Sequence, residues 1–284
     1  EGASEKTGFE DEDLRIAIDR STFQMKAFRS LSDGSEIEST PPSLGRIAAA
    51  TAKQLIMQKI RTAEKELIFD QYKDRVGDIV TGTVVRFERS DVVIELDHGE
   101  AVLQGRERVP TEEYEIGERV RAIILDVRER ERGPEIALSR SHPNFVRSLF
   151  ELEVSEISDN TMEIKGIARE AGYRSKVAVY SNDERVDPVG ACVGMRGMRV
   201  KNIVRELSGE KIDIVRWNDD IKILITNALA PARLKSVDID EETRTVSVVV
   251  DPDQLSLAIG KRGQNARLTS KLTGWRVDVQ KDEE

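Results

Sequence analysis

Cysteine and histidine are nearly absent. The 284 residues hold one cysteine, Cys192, and two histidines, His98 and His142, which lie far apart in the chain. A single cysteine excludes a disulfide framework and any multi-cysteine metal site, and two distant histidines leave little for a histidine metal site or a catalytic triad. Cys192 lies among Val and Ala ahead of two glycines and reads as a small core residue rather than a nucleophile. No window approaches the run of about eighteen apolar residues that a membrane helix needs. No secretory h-region follows the start, and the chain opens at Glu1 rather than Met. The expectation is therefore an interior fragment of a longer, cytoplasmic protein, with no metal and no cofactor. Its length allows about two to four compact domains.

What is present is charge. Charged residues make up 34% of the chain, with a net charge of -9 that argues against a nucleic-acid partner at first sight. Distribution decides more than the sum, because phosphates are neutralised by local lysines and arginines. The window GMRGMRVKNIVR, from Gly194, carries Arg196, Arg199, Lys201 and Arg205 and no acidic residue, in a chain with 53 of them. The same arrangement returns at Gly260, where GKRGQNARLTSK carries Lys261, Arg262, Arg267 and Lys271, again free of acid. Asp187-Pro188 precedes the first window and Asp251-Pro252 the second. Gly209 and Gly274 trail them, and each copy closes on a hydrophobic-Asp-hydrophobic strand, Ile212-Asp213-Ile214 and Val277-Asp278-Val279. One basic-flanked G-x-x-G is a turn; two of them about 65 residues apart are a duplicated small domain.

Asp187-Pro188 reads as a helix start, with Asp as N-cap and Pro in the first turn, and Asp251-Pro252 reads the same way. A short helix runs to Val193 or Ile259, the glycines interrupt, and a second helix carries Val200, Ile203, Val204 and Leu207, or Ala266, Leu268 and Leu272. Gly209 and Gly274 are left-handed caps, and strands follow. Upstream lie the strand SKVAVYS and the hairpin VDIDEETRTVSVVV. Strand, helix, basic G-x-x-G, helix, strand is similar to the KH domain, in which the glycines let a sugar–phosphate chain approach the backbone at a helix N-terminus. Met195 is the least typical loop residue, placed to meet a base or sugar rather than a phosphate.

From 76 to 141, short alternating strands broken by Gly, Asp and charged turns predict a five-stranded OB-type barrel. Val84, Phe87, Val93, Ile94 and Leu96 are its candidate core, and Arg119 and Arg121 its outer face. This stretch holds 15 acidic against 10 basic residues, and no basic groove is evident. In the first 75 residues, DLRIAID and FQMKAF read as strands and SDGSEIESTPPSLG as a loop. Arg46 to Lys73 reads as a long amphipathic helix with Ile47, Leu55, Ile56, Ile60, Leu67 and Ile68 on its apolar side. The opening GFEDED reads as frayed.

DPVGACVGMRGMRVKNIVRELSGEKIDIVRW, then SLAIGKRGQNARLTSKLTGWRVDV, preceded by AATAKQLIMQKIRTAEKELIFDQY, resembles the bacterial NusA family of transcription termination/antitermination factors. The resemblance covers nearly the whole chain and is strongest from Asp187 to Val279. It implies a multidomain α+β protein: an N-terminal RNA-polymerase-binding domain (1–75), an S1-type barrel (76–141) and two prokaryotic-type KH domains (142–230 and 231–284). It implies nascent single-stranded RNA, bacterial RNA polymerase and other elongation factors as partners, with the protein a monomer. The RNA loops carry over onto Gly194, Met195, Arg196 and Gly197, and onto Gly260, Lys261, Arg262 and Gly263. Arg199, Lys201, Gln264, Asn265 and Arg267, which open the following helices, come next. The N-terminal match is traced from about Asp13, which implies that the family's first helices are missing. DVVIEL in the barrel lacks the paired aromatics that many such barrels stack on bases.

Three rival classes share some of these features. Phosphorolytic exonucleases carry KH and S1-type modules, but in the opposite order and behind large catalytic domains. A nucleotide-binding loop would need G-x-x-x-x-G-K-[ST], which is missing. A ribosome-associated or RNA-processing KH/S1-type protein fits tandem KH domains but not the domain order. The expectation is a non-catalytic RNA-binding elongation factor.

Overall fold

The computed structural model describes residues 14–18, 25–30, 34–39, 44–130 and 133–282. They fall into two compact units, Glu1–Asp70 and Gln71–Glu284. The opening GFEDED and the side chain of Ile47 lie outside the described residues.

The first unit holds an antiparallel sheet of β1 (Leu14–Ile18), β2 (Met25–Ser30) and β3 (Glu36–Glu38), in that order. β3 falls inside the stretch expected to be loop; its three residues are all exposed and too short to show an alternating pattern. Arg15 on β1 reaches across to Glu36 with two hydrogen bonds, at 2.8 and 2.6 Å. Helix α1 runs from Leu44 to Lys73, 30 residues and about 45 Å at 1.5 Å per residue. Of its expected apolar face, Leu55, Ile56, Ile60 and Leu67 are exposed and Ile68 is half-buried. The stretch is rich in Ala, Gln, Lys and Glu, strong helix formers, so its helicity does not require a buried stripe.

The second unit begins with a closed barrel of β4 (Ile79–Glu88), β5 (Asp91–Glu95), β6 (Glu100–Leu103), β7 (Arg119–Arg128) and β8 (Glu135–Ser139), ordered β4-β5-β6-β8-β7. Val84, Val93, Ile94 and Leu96 are buried as expected, and Arg119 and Arg121 flank buried Val120 on the outside. Phe87 is not core; it is 42% exposed. The β4–β7 register ends at Thr83↔Arg119, so Phe87 lies past the closure, with β5 alone paired beside it.

Two three-stranded sheets follow, built alike. In the first, central β10 (Arg174–Ser181) runs antiparallel to β9 (Met162–Glu170) and parallel to β11 (Lys211–Arg216). In the second, central β13 (Thr245–Val250) runs antiparallel to β12 (Leu234–Asp240) and parallel to β14 (Arg276–Lys281). Helices α2 (Pro143–Glu153), α3 (Ser155–Ser158), α4 (Pro188–Val193) and α5 (Met198–Glu206) accompany the first sheet. Helix α6 (Ile221–Leu229) contributes to the cores of both, and α7 (Leu255–Ile259) and α8 (Gln264–Thr273) accompany the second.

Their cores run together. Ile123 of the barrel lies in one cluster with Phe145, Phe150, Val177, Val179 and Ile203 of the first sheet domain. Leu268 and Leu272 of α8 lie in one cluster with Ala168, Ala178 and Val215 on the first sheet. Apolar burial is the largest favourable contribution to folding, so shared clusters make barrel and both sheet domains one cohesive body.

The two copies differ at one expected cap. Asp187 caps α4, its Oδ2 accepting from Gly190 N at 3.0 Å. Asp251 does not cap α7: it opens a turn, Gln254 N donating to Asp251 O at 2.9 Å, and the helix starts at Leu255 without a side-chain cap. The Asp-Pro pair lies two residues farther from the glycine loop in the second copy, which puts Asp251 out of reach of the helix start.

Candidate nucleic-acid interface

The two G-x-x-G loops have the same backbone. Gly194 has φ 71° and ψ 175°, and Gly260 has φ 75° and ψ 172°. Arg196 (φ 54°) and Arg262 (φ 56°) both take the left-handed conformation, which is costly for any residue with a Cβ. Gly197 and Gly263 follow at φ 75° and 73° and open α5 and α8, neither helix having a side-chain cap. Uncapped first-turn amides at the positive end of a helix dipole can hold an anion, and the loops just before them carry Arg196, Lys261 and Arg262. Met195 (84% exposed), Arg196, Lys261 and Arg262 point outward.

Not all predicted residues stand on that surface. Arg199 donates from Nη1 to Ala191 O at 2.7 Å and to Glu156 at 2.9 Å. Asn265 is buried and donates from Nδ2 to Leu257 O at 3.0 Å and to Leu229 O at 3.3 Å. These two residues occupy the same place 66 positions apart, and so do the carbonyls they hold, those of Ala191 and Leu257. Each side chain fills the space where a Cβ on the first loop glycine would go: 2.8 Å from Arg199 Cγ at Gly194, and 2.8 Å from Asn265 Cβ at Gly260. The first glycine is thus required by the brace behind the loop. A second pair repeats as well. Lys201 Nζ donates to Arg196 O at 3.2 Å and Arg267 Nη1 to Arg262 O at 3.3 Å, latching each left-handed loop tip to its helix.

The second loop is also tied to the first sheet domain. Glu170, at the end of β9, accepts from Gln264 Nε2 at 2.9 Å and Arg267 Nε at 2.6 Å. The Arg267 guanidinium holds the Glu170 carboxyl below the usual carboxylate range, against the opposing effect of partial burial. Glu170 lies 94 residues before Gln264, and no local motif marks it.

Buried ion pairs fix the frame underneath. Lys176 on β10 is fully buried, its Nζ donating to Asp213 at 2.9 Å and Ala228 O at 2.6 Å. Burial pushes the Lys176 ammonium down, and the Asp213 carboxylate partly opposes it. Arg169 pairs with buried Glu210 and donates to the carbonyls of Arg140 and His142. Arg140 makes a two-pronged bond to Glu112, both 2.6 Å, and reaches Glu206 O on α5 at 2.9 Å, joining barrel and sheet domain. Cys192 is fully buried, and its thiol is pushed up to about 12. Among the described residues no His/Cys/Asp/Glu group could hold a metal ion, and no helix is long and apolar enough to cross a membrane.

A small closed barrel followed by two sheet domains with matching G-x-x-G loops, cored together, defines a tandem KH-domain protein with an OB-type barrel. Comparisons with known proteins match the N-terminal stretch and both KH domains. The NusA-like first KH domain matches residues 140–217, the NusA-like second KH domain 221–284, and the NusA N-terminal domain 4–66, the last reaching ahead of Asp13. Transcription termination/antitermination protein NusA of Halalkalibacterium halodurans is 50% identical over 249 residues, covering 88% of this chain and 65% of that protein. The Bacillus subtilis protein of the same name is 49% identical, covering 87% and 67%. That of Mycobacterium tuberculosis is 46% identical, covering 95% and 82%. The chain belongs to the NusA family, and it spans 65% of the length of the Halalkalibacterium relative.

Proposed function

We propose that this chain is a non-catalytic, RNA-gripping part of a transcription elongation factor. In this reading the two KH loops hold successive stretches of nascent single-stranded RNA while residues 1–75 dock on bacterial RNA polymerase, with effects on pausing, termination and antitermination. The division of labour follows 76–141 as the barrel, 142–230 as the first KH domain and 231–284 as the second. The protein acts as a cytoplasmic monomer beside other elongation factors, without a cofactor.

The observation that carries the reading is the duplicated loop. Two left-handed G-x-x-G turns have the same dihedral angles, uncapped helix starts and the same brace and latch 66 residues apart. Such a device suits a repeating anionic chain. RNA contact is assigned to Met195, Arg196 and Lys201 in the first loop and to Lys261, Arg262, Gln264 and Arg267 in the second. Arg199 and Asn265 hold the glycines in place from behind.

Gly197→Asp and Gly263→Asp test this directly. A Cβ at Gly263 meets nothing within 4 Å and one at Gly197 comes no nearer than 3.7 Å to Lys201; their left-handed φ of 73° and 75° costs an Asp about 1–2 kcal/mol, so both variants should fold with slightly lower stability. Each puts a carboxylate where phosphate would sit. Each should weaken single-stranded RNA binding at least tenfold in fluorescence anisotropy, with the circular dichroism spectrum unchanged. Binding equal to wild type in both variants would remove the loops from the interface.

A further inference from the structure

Aromatic residues make up only 5% of this chain, yet one stands exposed beside the second loop. Tyr173 occupies the turn between β9 and β10, in the first KH domain, and is 56% exposed. With Glu170 it lines a cavity of about 470 Å³ whose remaining walls are Lys261, Arg262, Gln264 and Arg267 of the second KH domain. Neither domain makes this cavity alone.

The turn that carries Tyr173 is fixed on both sides. Tyr173 N donates to Glu170 O at 3.0 Å, and Lys211 N donates to Tyr173 O at 3.1 Å. Gly172, at φ 82°, donates to the fully buried Glu210 at 2.8 Å, and Arg174 pairs with Asp213 at 2.8 Å. The backbone is held while the ring stays open to solvent, an aromatic platform ordered in advance. Two other exposed aromatics among the described residues lie elsewhere: Phe87 on the barrel, and Tyr180 under the Lys165 ammonium at 5.1 Å.

We infer that the cavity between Tyr173 and the GKRG loop is a nucleobase subsite, in which an unpaired base of the strand held by Gly260–Gly263 stacks on the Tyr173 ring. The inference rests on the RNA-binding reading above. Flat, apolar faces are shared by every base, so an aromatic platform next to a phosphate-binding loop takes single-stranded nucleic acid through stacking. Lys261 and Arg262 supply the positive charge that the adjoining phosphates need, and Glu170, neutralised by Arg267 and held by Gln264, anchors the wall rather than repelling the strand. The subsite would make the first KH domain contribute to what the second one holds.

The test is anisotropy on the full chain with a single-stranded RNA and a set of the same RNA carrying one abasic position at a time, for wild type, Tyr173→Ser, Tyr173→Phe and Gly263→Asp. Tyr173→Ser should bind the intact RNA about tenfold more weakly, Tyr173→Phe should match wild type, and one abasic position should cost wild type about tenfold but Tyr173→Ser almost nothing. If Tyr173→Ser binds like wild type while Gly263→Asp loses binding, the RNA reading stands and the subsite is wrong. If Tyr173→Ser weakens every abasic RNA as much as the intact one, no base stacks there and the subsite is likewise overturned. If the wild-type chain binds none of these RNAs, the RNA reading itself falls.

Discussion

Asn265 shows how much a single side chain can decide. The family resemblance places it among the RNA contacts with Gln264 and Arg267. The fold instead buries it and uses its amide to hold the Leu257 and Leu229 carbonyls. Asn265→Ala leaves both acceptors without that donor, at a cost of about 1–3 kcal/mol. Urea unfolding should report that loss, and an unchanged midpoint would mean that water replaces the amide. Cys192 gives a second prediction. Its thiol is fully buried and pushed up to about 12, so almost no thiolate exists at neutral pH. A neutral thiol reagent at pH 8 should leave the folded chain unmodified and label one thiol per chain in denaturant. Rapid labelling without denaturant would show that α4 opens.

At the scale of the element, what could be read from the sequence was whatever repeats or alternates. The glycine loops, their flanking cations and the strand after each were legible because spacing alone fixes them. The barrel strands were legible because apolar and charged residues alternate. The cap at Asp251 was misread because two additional residues separate it from the loop, and nothing local reveals that they go into a turn. Phe87 was misread because exposure there depends on where β4 parts from β7, a tertiary fact. Glu170 and Tyr173 carried no signal at all: they reach the second loop from about 90 residues upstream.

The link between barrel and first KH domain is sensitive to acid. Burial pushes the Glu112 carboxyl up, but the Arg140 guanidinium more than offsets this and leaves it below the ordinary range; Asp213 follows the same pattern with Arg174 and Lys176. A carboxyl lowered by folding contributes stability that is present above its unfolded value, about 4, and lost as pH falls through the folded one. Stability of the wild-type chain should therefore drop as pH falls below about 4. Arg140→Met leaves a buried carboxylate unpaired and should cost about 3–5 kcal/mol at pH 7. The gap to wild type should narrow on acidification, when Glu112 is neutralised in the variant and the pair is lost in wild type. A gap independent of pH in chemical denaturation would mean that the pair does not set this stability.

For the whole molecule, the central point is that the two loops sit in one frame. Leu268 and Leu272 of the second KH domain are core residues of the first, and Glu170 of the first holds two polar residues of the second. The acid-free windows are basic in sequence despite the net charge of -9, and of the acids that reach them in the fold, Glu156 and Glu170 are paired with Arg199 and Arg267. RNA binding should weaken with salt, log K falling by about 0.7 for each phosphate neutralised per tenfold rise in salt. A salt-independent affinity would exclude phosphate as the main contact. Fixed geometry also predicts avidity, because a strand bound at one loop meets the other at high effective concentration.

The most direct measurement compares one RNA long enough to cross both loops with its two halves, by anisotropy, on wild type, Gly197→Asp and Gly263→Asp. A shared frame predicts that wild type binds the long strand at least about 100-fold more tightly than either half. Either single variant should bring the long strand down to the affinity of a half. Equal affinity for the long strand and its halves, or single variants that leave the long strand untouched, would contradict a two-loop grip on one RNA.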